Sequence, residues 1–211
     1  MPLTIRLYVR LIMDSEPDTG MSTVTKKTHA TAARYGLRML QAAKYSVIEV
    51  LRTGRRVEIR ALRPEDRADL LAAVARTSTE SLYRRFFGVR RSFTDQEMDF
   101  FLNVDFANHV ALVAVVEEGG LPVIAGGGRY IVLQPGKAEV AFAVVDQYQG
   151  EGIGGALMHH LAAMARGAEI RELIAEVLPE NIPMLKVFEK SGFPVSMKRD
   201  SQVVHVALQL S

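Results

Sequence analysis

The sequence predicts a mixed α/β (α+β) fold: a mostly antiparallel, twisted sheet with one parallel pair, flanked by helices. Three observations carry this. The apolar strand patterns HVALVAVVEE, PVIAGGGRYIVL and KAEVAFAVVD are joined by the short links GGLP and QPGK, as in an antiparallel meander. Only one strand–helix–strand crossover follows, from KAEVAFAVVD through the segment after QGEGIGG to ELIAEVL, so a doubly wound parallel sheet is excluded. Hydrophobic residues make up 48% of 211, enough for one domain with a sizeable core.

The elements read as follows. Residues 3–11, LTIRLYVRL, alternate apolar and polar side chains at the strand period, and DSEPDTG then breaks the pattern. Arg6 and Arg10 interrupt this stretch and argue against a secretory signal, while Met13 and Met21 are alternative starts. Residues 30–44 read as a short helix. SVIEVL and RVEIRAL are strands around a hairpin turn at Gly54. RPEDRADLLAAVARTS is a helix with Pro64 at its start and Glu65 and Asp66 in its first turn. SFTDQEMDFFLNV is the second, with Thr94 as N-cap and Glu97 as capping-box partner. After the meander come a helix to about Gly167, the strand ELIAEVL, and the helix IPMLKVFEKSGF closed near Gly192. FPVSM and VVHVALQL are the last strands. Residues 1–45 form an N-terminal extension of uncertain structure, and 46–211 form the domain.

Composition narrows the chemistry. The absence of cysteine excludes disulfides, thiolate catalysis and Cys-based zinc sites. His29, His109, His159, His160 and His205 make no metal-ligand spacing, so no metal is expected. His159 and His160 point to different helix faces, one at the surface and one partly buried. A net charge of +2 does not imply nucleic acid, and no apolar run reaches the roughly 18 residues of a membrane helix. A cytoplasmic protein with no nucleic-acid or membrane partner is the expectation.

The most informative stretch is VVDQYQGEGIGGALMHHL, residues 144–161. Glycines before a helix let the backbone approach a phosphate, which the helix N-terminus then attracts. Gly150, Gly152 and Gly155 fit a dinucleotide fingerprint, with Glu176 as the downstream acid. That fold needs several crossover units, however, and this chain has one. A P-loop is excluded because Gly154-Gly155-Ala156 lacks the lysine and hydroxyl. The third pattern is Gln149-x-x-Gly152-x-Gly154. A ligand-free glycine turn is the plain alternative, but so many glycines at a helix start lower stability unless close approach requires them.

This Q/R-x-x-G-x-G/A pattern resembles the pyrophosphate loop of the GNAT acetyltransferase superfamily. The resemblance extends over residues 46–211: Asn181 follows the strand, Met184 and Phe188 lie on the next helix, and Gly192-Phe193 closes it. STESLYRRFFG, VDFANHVALVAV, AEVAFAVVDQYQGEGIG and EVLPENIPML are similar to the GNAT domain of bacterial Pat-type protein lysine acetyltransferases. Those domains are often fused to an acyl-CoA-synthetase-like or nucleotide-sensing module. The roughly 45 residues ahead of this domain are too few for either, so the domain is expected to stand alone.

The resemblance implies the acyl-CoA N-acyltransferase fold and acetyl transfer from acetyl-CoA, as co-substrate, to an amine. It implies a pyrophosphate cradle of Gln149, Gly150, Glu151, Gly152, Ile153, Gly154 and Gly155. It also implies a backbone N–H for the thioester oxygen on the strand end Ala143, Val144 and Val145, and a pantetheine contact from Asn181, which equally suits a helix N-cap. A lysine ammonium, with a pKa of about 10.4, needs a base. Glu139, in an AE-x-A context like the catalytic glutamate of Pat-type domains, is the favoured base. Glu176, five residues before Asn181, is the second candidate, as in N-terminal-amine acetyltransferases of the superfamily. Many relatives carry a tyrosine acid seven residues after the asparagine; here that residue is Phe188, so the thiolate leaves unassisted or another residue serves.

Arg52, Arg55, Arg56 and Arg60, and Arg84, Arg85, Arg90 and Arg91, read as solvated faces, with docking of an acidic surface or the CoA 3′-phosphate as the sharper alternative. The favoured acceptor is a protein lysine. A small-molecule amine acceptor and a non-catalytic acyl-CoA-binding module are the alternatives, and a homodimer is left open.

Overall fold

The computed structural model describes residues 36, 38–89 and 92–210. The expected strand over residues 3–11 and the first part of the expected helix over 30–44 lie outside them, as do Arg90 and Arg91. Residues 38–43 are helical.

The strands are β1 (Ser46–Val50), β2 (Arg56–Ala61), β3 (His109–Glu118), β4 (Leu121–Gln134), β5 (Lys137–Val144), β6 (Glu172–Val177), β7 (Val195–Arg199) and β8 (Val204–Gln209). The helices are α1 (Arg67–Ala75), α2 (Thr79–Phe86), α3 (Asp95–Leu102), α4 (Ile153–Gly167) and α5 (Ile182–Glu189). The eight strands form one sheet in the order β1-β2-β3-β4-β5-β6-β8-β7. Every neighbouring pair is antiparallel except β5 and β6.

Local chemistry sets the element ends. The β1–β2 turn closes with Gly54 at φ +84°, its N–H donating to the carbonyl of Leu51. The first helix after β2 starts as a 3-10 turn over Pro64–Asp66 and continues as α1. Thr94 caps α3, and Glu97 returns a bond to the Thr94 N–H, completing the expected capping box.

One expectation needs correction. The segment between β2 and β3 holds three α-helices, not two, because the stretch Thr79–Phe86, expected only as part of a charged face, forms α2. Its first-turn Glu80, last-turn Arg84 and Arg85, and the Ser78 hydroxyl accepting from Ser81 N–H are the signals that mark it. TESLYRRF is short and polar overall, yet Leu82 and Phe86 lie one turn apart on one face, so its amphipathic period is strong.

The core lies between the sheet and α4, which packs across β2, β3, β4 and β5. Leu157, Met158, Leu161, Ala162 and Ala165 of α4 are buried against Val57, Ile59, Leu112, Tyr130 and Val140. Gly128 permits this approach: a Cβ there would sit 2.6 Å from Phe142 and 2.8 Å from Leu161. Helices α1 and α2 cover the opposite face, on β4 and β5. Side chains alternate along a strand, so Arg129 and Glu139, paired through Ala141 and Ile131, share this second face. No helix among the described residues is long and apolar enough to cross a membrane.

Candidate active site

The parallel pair of β5 and β6 is short. It joins Lys137 to Glu172, Ala138 to Leu173 and Glu139 to Ile174, and no further. Strand β5 continues to Val144 and β6 to Val177, so the sheet forks there. The fork opens into a cleft of about 740 Å³. Glu139, Ala143 and Val144 line it from β5, Glu176 from β6, Gln149 through Gly155 from the loop into α4, and Asn181 from the start of α5. Val145 is the exception among the sequence candidates: it is buried in the core, outside the cleft lining.

Hydrogen bonding along β5 separates the three strand-end candidates. Val145 N–H donates to the Ala125 carbonyl at 2.9 Å. Antiparallel bonds alternate, so Ala143 also turns towards β4, and the N–H of Val144 points into the fork.

The loop is held by side chains. The Asp146 carboxylate accepts from Ser78 N–H at 2.7 Å, Ser78 Oγ at 2.7 Å and Ser81 Oγ at 2.8 Å. Burial works against this charge, but these bonds lower the Asp146 pKa on balance. The Gln149 amide donates to Ser81 Oγ at 3.1 Å and to the Val144 carbonyl at 3.0 Å. Gln149 thus ties the loop to α2 and to the end of β5. Glu151 accepts from Arg55 at 2.5 and 3.3 Å, anchoring the loop to the β1–β2 turn. Gly152 is the N-cap of α4 at φ +104°, a backbone conformation that a side chain disfavours. The N–H groups of Ile153, Gly154 and Gly155, in the first turn of α4, have no partner within the helix. Gly154 packs towards Val187 of α5, whereas a Cβ at Gly155 would meet nothing within 4 Å. Such a helix start suits an anionic group.

Glu139 is only 7% exposed, at the closed end of the fork. The Arg85 guanidinium bears on it: burial pulls Arg85 down to about 10, and the Glu139 charge acts in the opposite direction. Arg129 is pushed down to about 9, by burial and then by the Arg85 charge. Arg129 Nη1 donates to the Phe101 carbonyl at 3.3 Å and lies 2.9 Å from His109 Nε2. Its guanidinium also sits 4.7 Å from the Phe101 ring centroid. A guanidinium only donates, so His109 Nε2 is the acceptor and the imidazole is neutral. Burial, then the Arg129 charge, pushes His109 down to about 3. The half-buried Arg85 is thus a cation beside Glu139 at neutral pH, and the half-buried Arg129 is a second cation beside Arg85.

Glu176 lies opposite His205 on β8, with its Oε1 3.5 Å from His205 Nδ1. Asn181 Oδ1 accepts from Met184 N–H at 3.3 Å, so it caps α5 while lining the cleft. Phe188 is 1% exposed, its ring 6.1 Å from that of Phe142, and offers no proton. Of the two histidines on α4, His159 is exposed and His160 buried. In the sequence Arg85 is one of a run of arginines, and Arg129, His109 and His205 carry no motif. No local pattern marks them, because α2, β3, β4 and β8, far apart in the chain, bring each to its partner.

The Acetyltransferase (GNAT) family profile matches residues 76–193. The chain is 35% identical over 158 residues to "Acetyltransferase Pat" of Mycolicibacterium smegmatis, covering 73% of this chain and 46% of that protein. It spans about half the length of that relative. It is 32% identical over 161 residues to "Acetyltransferase PA5475" of Pseudomonas aeruginosa, covering 75% of this chain and 87% of that protein. Among solved structures, the GNAT domain of S. lividans PAT superposes with a TM-score of 0.70 at 33% identity, covering 78% of this chain and 96% of that one.

Proposed function

The chain belongs to the acetyltransferase (GNAT) family, and from that premise we propose that it moves an acetyl group from acetyl-CoA to a primary amine, the favoured acceptor being a protein lysine and the base Glu139. The observation that carries this reading is the fork between β5 and β6. A glycine-rich helix start, whose first N–H groups have no partner within the helix, lies at its mouth, and a buried carboxylate lies at its closed end. The acceptor follows from the likeness of four segments to Pat-type protein lysine acetyltransferases.

In this reading the pyrophosphate rests on the N–H groups of Ile153, Gly154 and Gly155. The Val144 N–H, preorganised in the sheet, donates to the thioester oxygen as it gains charge. Asn181 contacts the pantetheine arm. Glu139 takes a proton from the acceptor ammonium, and the freed amine attacks the carbonyl carbon. The C–N bond forms, the C–S bond breaks, the second nitrogen proton passes to the sulfur, which leaves as a thiol, and the proton held by Glu139 is given up to water. The role of Gln149 is to brace the loop through Ser81 and Val144, since its amide is engaged there.

Thiol release from acetyl-CoA, measured with lysine-bearing proteins and a panel of small amines, tests the reading. Transfer to protein lysines, located by mass spectrometry, is the expected result. Turnover on small amines alone would move the acceptor to that class. CoA binding by calorimetry with no turnover on any amine would refute the reaction.

A further inference from the structure

Helix α2 runs along the cleft from the glycine loop to the closed end. Ser81 Oγ, in its first turn, accepts from the Gln149 amide, and Arg85, one turn on, bears on Glu139. Phe87 follows two residues later, about 3 Å further along the axis and away from the loop. It lines the cleft with Ser81, Arg84 and Arg85. In the acetyl-transfer reading the donor lies on the glycine loop, so the wall at Phe87 belongs to the amine. We propose that Phe87 is a specificity-determining residue for the acceptor, its ring forming the apolar wall along which the methylene stem of a lysine-like amine lies.

The backbone singles Phe87 out. It closes α2 at φ +55° and ψ +26°, with its N–H donating to the Tyr83 carbonyl at 2.7 Å. That left-handed position is usually taken by glycine, because a Cβ crowds the following carbonyl. Gly88 is the next residue, yet it lies outside the positive-φ region and Phe87 takes the unfavourable place. Core packing does not offset this strain. Phe106, also at φ +55°, packs on the core, whereas Phe87 is half-buried and lies outside the core cluster. The neighbouring ring of Phe86 belongs to a separate aromatic group, 5.0 Å from Phe93 and 6.0 Å from Phe101. The Phe87 ring is left to the cleft. A bulky residue held in a strained conformation beside a cleft, away from the core, marks a functional position. An aromatic face there suits a lysine-like acceptor in two ways. It covers the apolar stem, and it attracts the ammonium before Glu139 takes its proton. An amine on a short stem has too few methylenes to use it.

This role rests on the acetyl-transfer reading above, and its test separates the two. Two peptide acceptors are compared, one with an internal lysine and one in which diaminopropionate replaces that lysine and shortens the stem. Phe87→Gly should raise KM for the lysine peptide about tenfold and lower the preference for it by a similar factor, while KM for acetyl-CoA stays within about twofold. Because glycine relieves the left-handed backbone, the melting temperature of this variant should equal or exceed that of wild type. Phe87→Ala, which lacks the ring but keeps the strain, should show the same acceptor defect at a lower melting temperature. A residue needed only for folding would behave otherwise: both variants would melt lower, and both KM values would rise together. That result overturns the role of Phe87, as does an unchanged lysine preference in Phe87→Gly. Wild-type turnover on short-stem amines alone also overturns it and leaves acetyl transfer standing. A wild-type protein that releases no thiol with either peptide or with any small amine overturns the acetyl-transfer reading and the role of Phe87 with it.

Discussion

Glu139 and Ile174 are partners on the last rung at which β5 and β6 are bonded. Beyond them the strands part, so the carboxylate sits where the sheet opens. Backbone that would otherwise pair across the gap, including the Val144 N–H, is available to a ligand. Glu139 and Arg129 point to the same face of the sheet, where Arg85 of α2 bears on the Glu139 charge.

Removing the Glu139 charge should therefore affect chemistry far more than binding. Glu139→Gln is expected to lower kcat about 10²- to 10³-fold with CoA affinity nearly unchanged. Stopped-assay thiol release and calorimetry read the two quantities. Wild-type kcat in this variant would transfer the base assignment to Glu176.

Gly152 couples fold and ligand. Its φ of +104° is unfavourable for any residue with a Cβ, although the space beside it is open. Gly152→Ala should lower stability by about 1–2 kcal/mol and weaken CoA binding, because the N–H groups that follow would be re-aimed. A thermal melt and a CoA titration check both effects. An unaltered melting temperature would mean that the loop relaxes at no expense.

Arg60 and Asp66 form a buried bidentate pair at 2.7 and 2.7 Å that joins β2 to the start of α1. Burial opposes the Asp66 charge, but the Arg60 and Arg63 bonds hold its pKa below the ordinary 3.8. A depressed carboxyl stabilises the fold above 3.8 and loses that contribution as pH falls through its lower folded value. Asp66→Ala should cost about 3–5 kcal/mol at neutral pH, since Arg60 is left buried and uncompensated. Urea midpoints of wild type and Asp66→Asn should converge in acid, and parallel curves down to the acid transition would contradict this.

His109 gives a second pH window with a different cause. It is pushed from 6.5 to about 3, first by burial and then by Arg129. Its neutral form fits the fold, so the stability it contributes is complete above 6.5 and declines as pH falls from there towards about 3. Replacing it with Gln should flatten the fall in melting temperature between about pH 6 and pH 4. An equally steep fall in the variant would assign that window to other groups.

Much of the fold was legible because its signals are local. The Thr94–Glu97 capping box, the positive-φ turn at Gly54, the meander links and the single crossover all involve residues a few positions apart. Asn181 as N-cap of α5 is of the same kind. Helix α2 is legible in the same way, from its Ser78 cap and from Leu82 and Phe86 one turn apart, although its eight residues are polar overall.

The site divides along the same line. By itself the sequence determined the glycine loop, the strand carrying Glu139 and the strand carrying Glu176, since each is a run of consecutive residues with a recognisable pattern. Tertiary structure alone decided that β5 and β6 part after Glu139, that the Val144 N–H and not that of Ala143 or Val145 points into the opening, and that Arg85 bears on the carboxylate while Arg129 lies against His109. It also set His205 beside Glu176, through the register of β8 against β6. These relationships join residues far apart in the chain. They follow from how long strands stay paired and which face each side chain takes, which are properties of the assembled sheet and of no single segment.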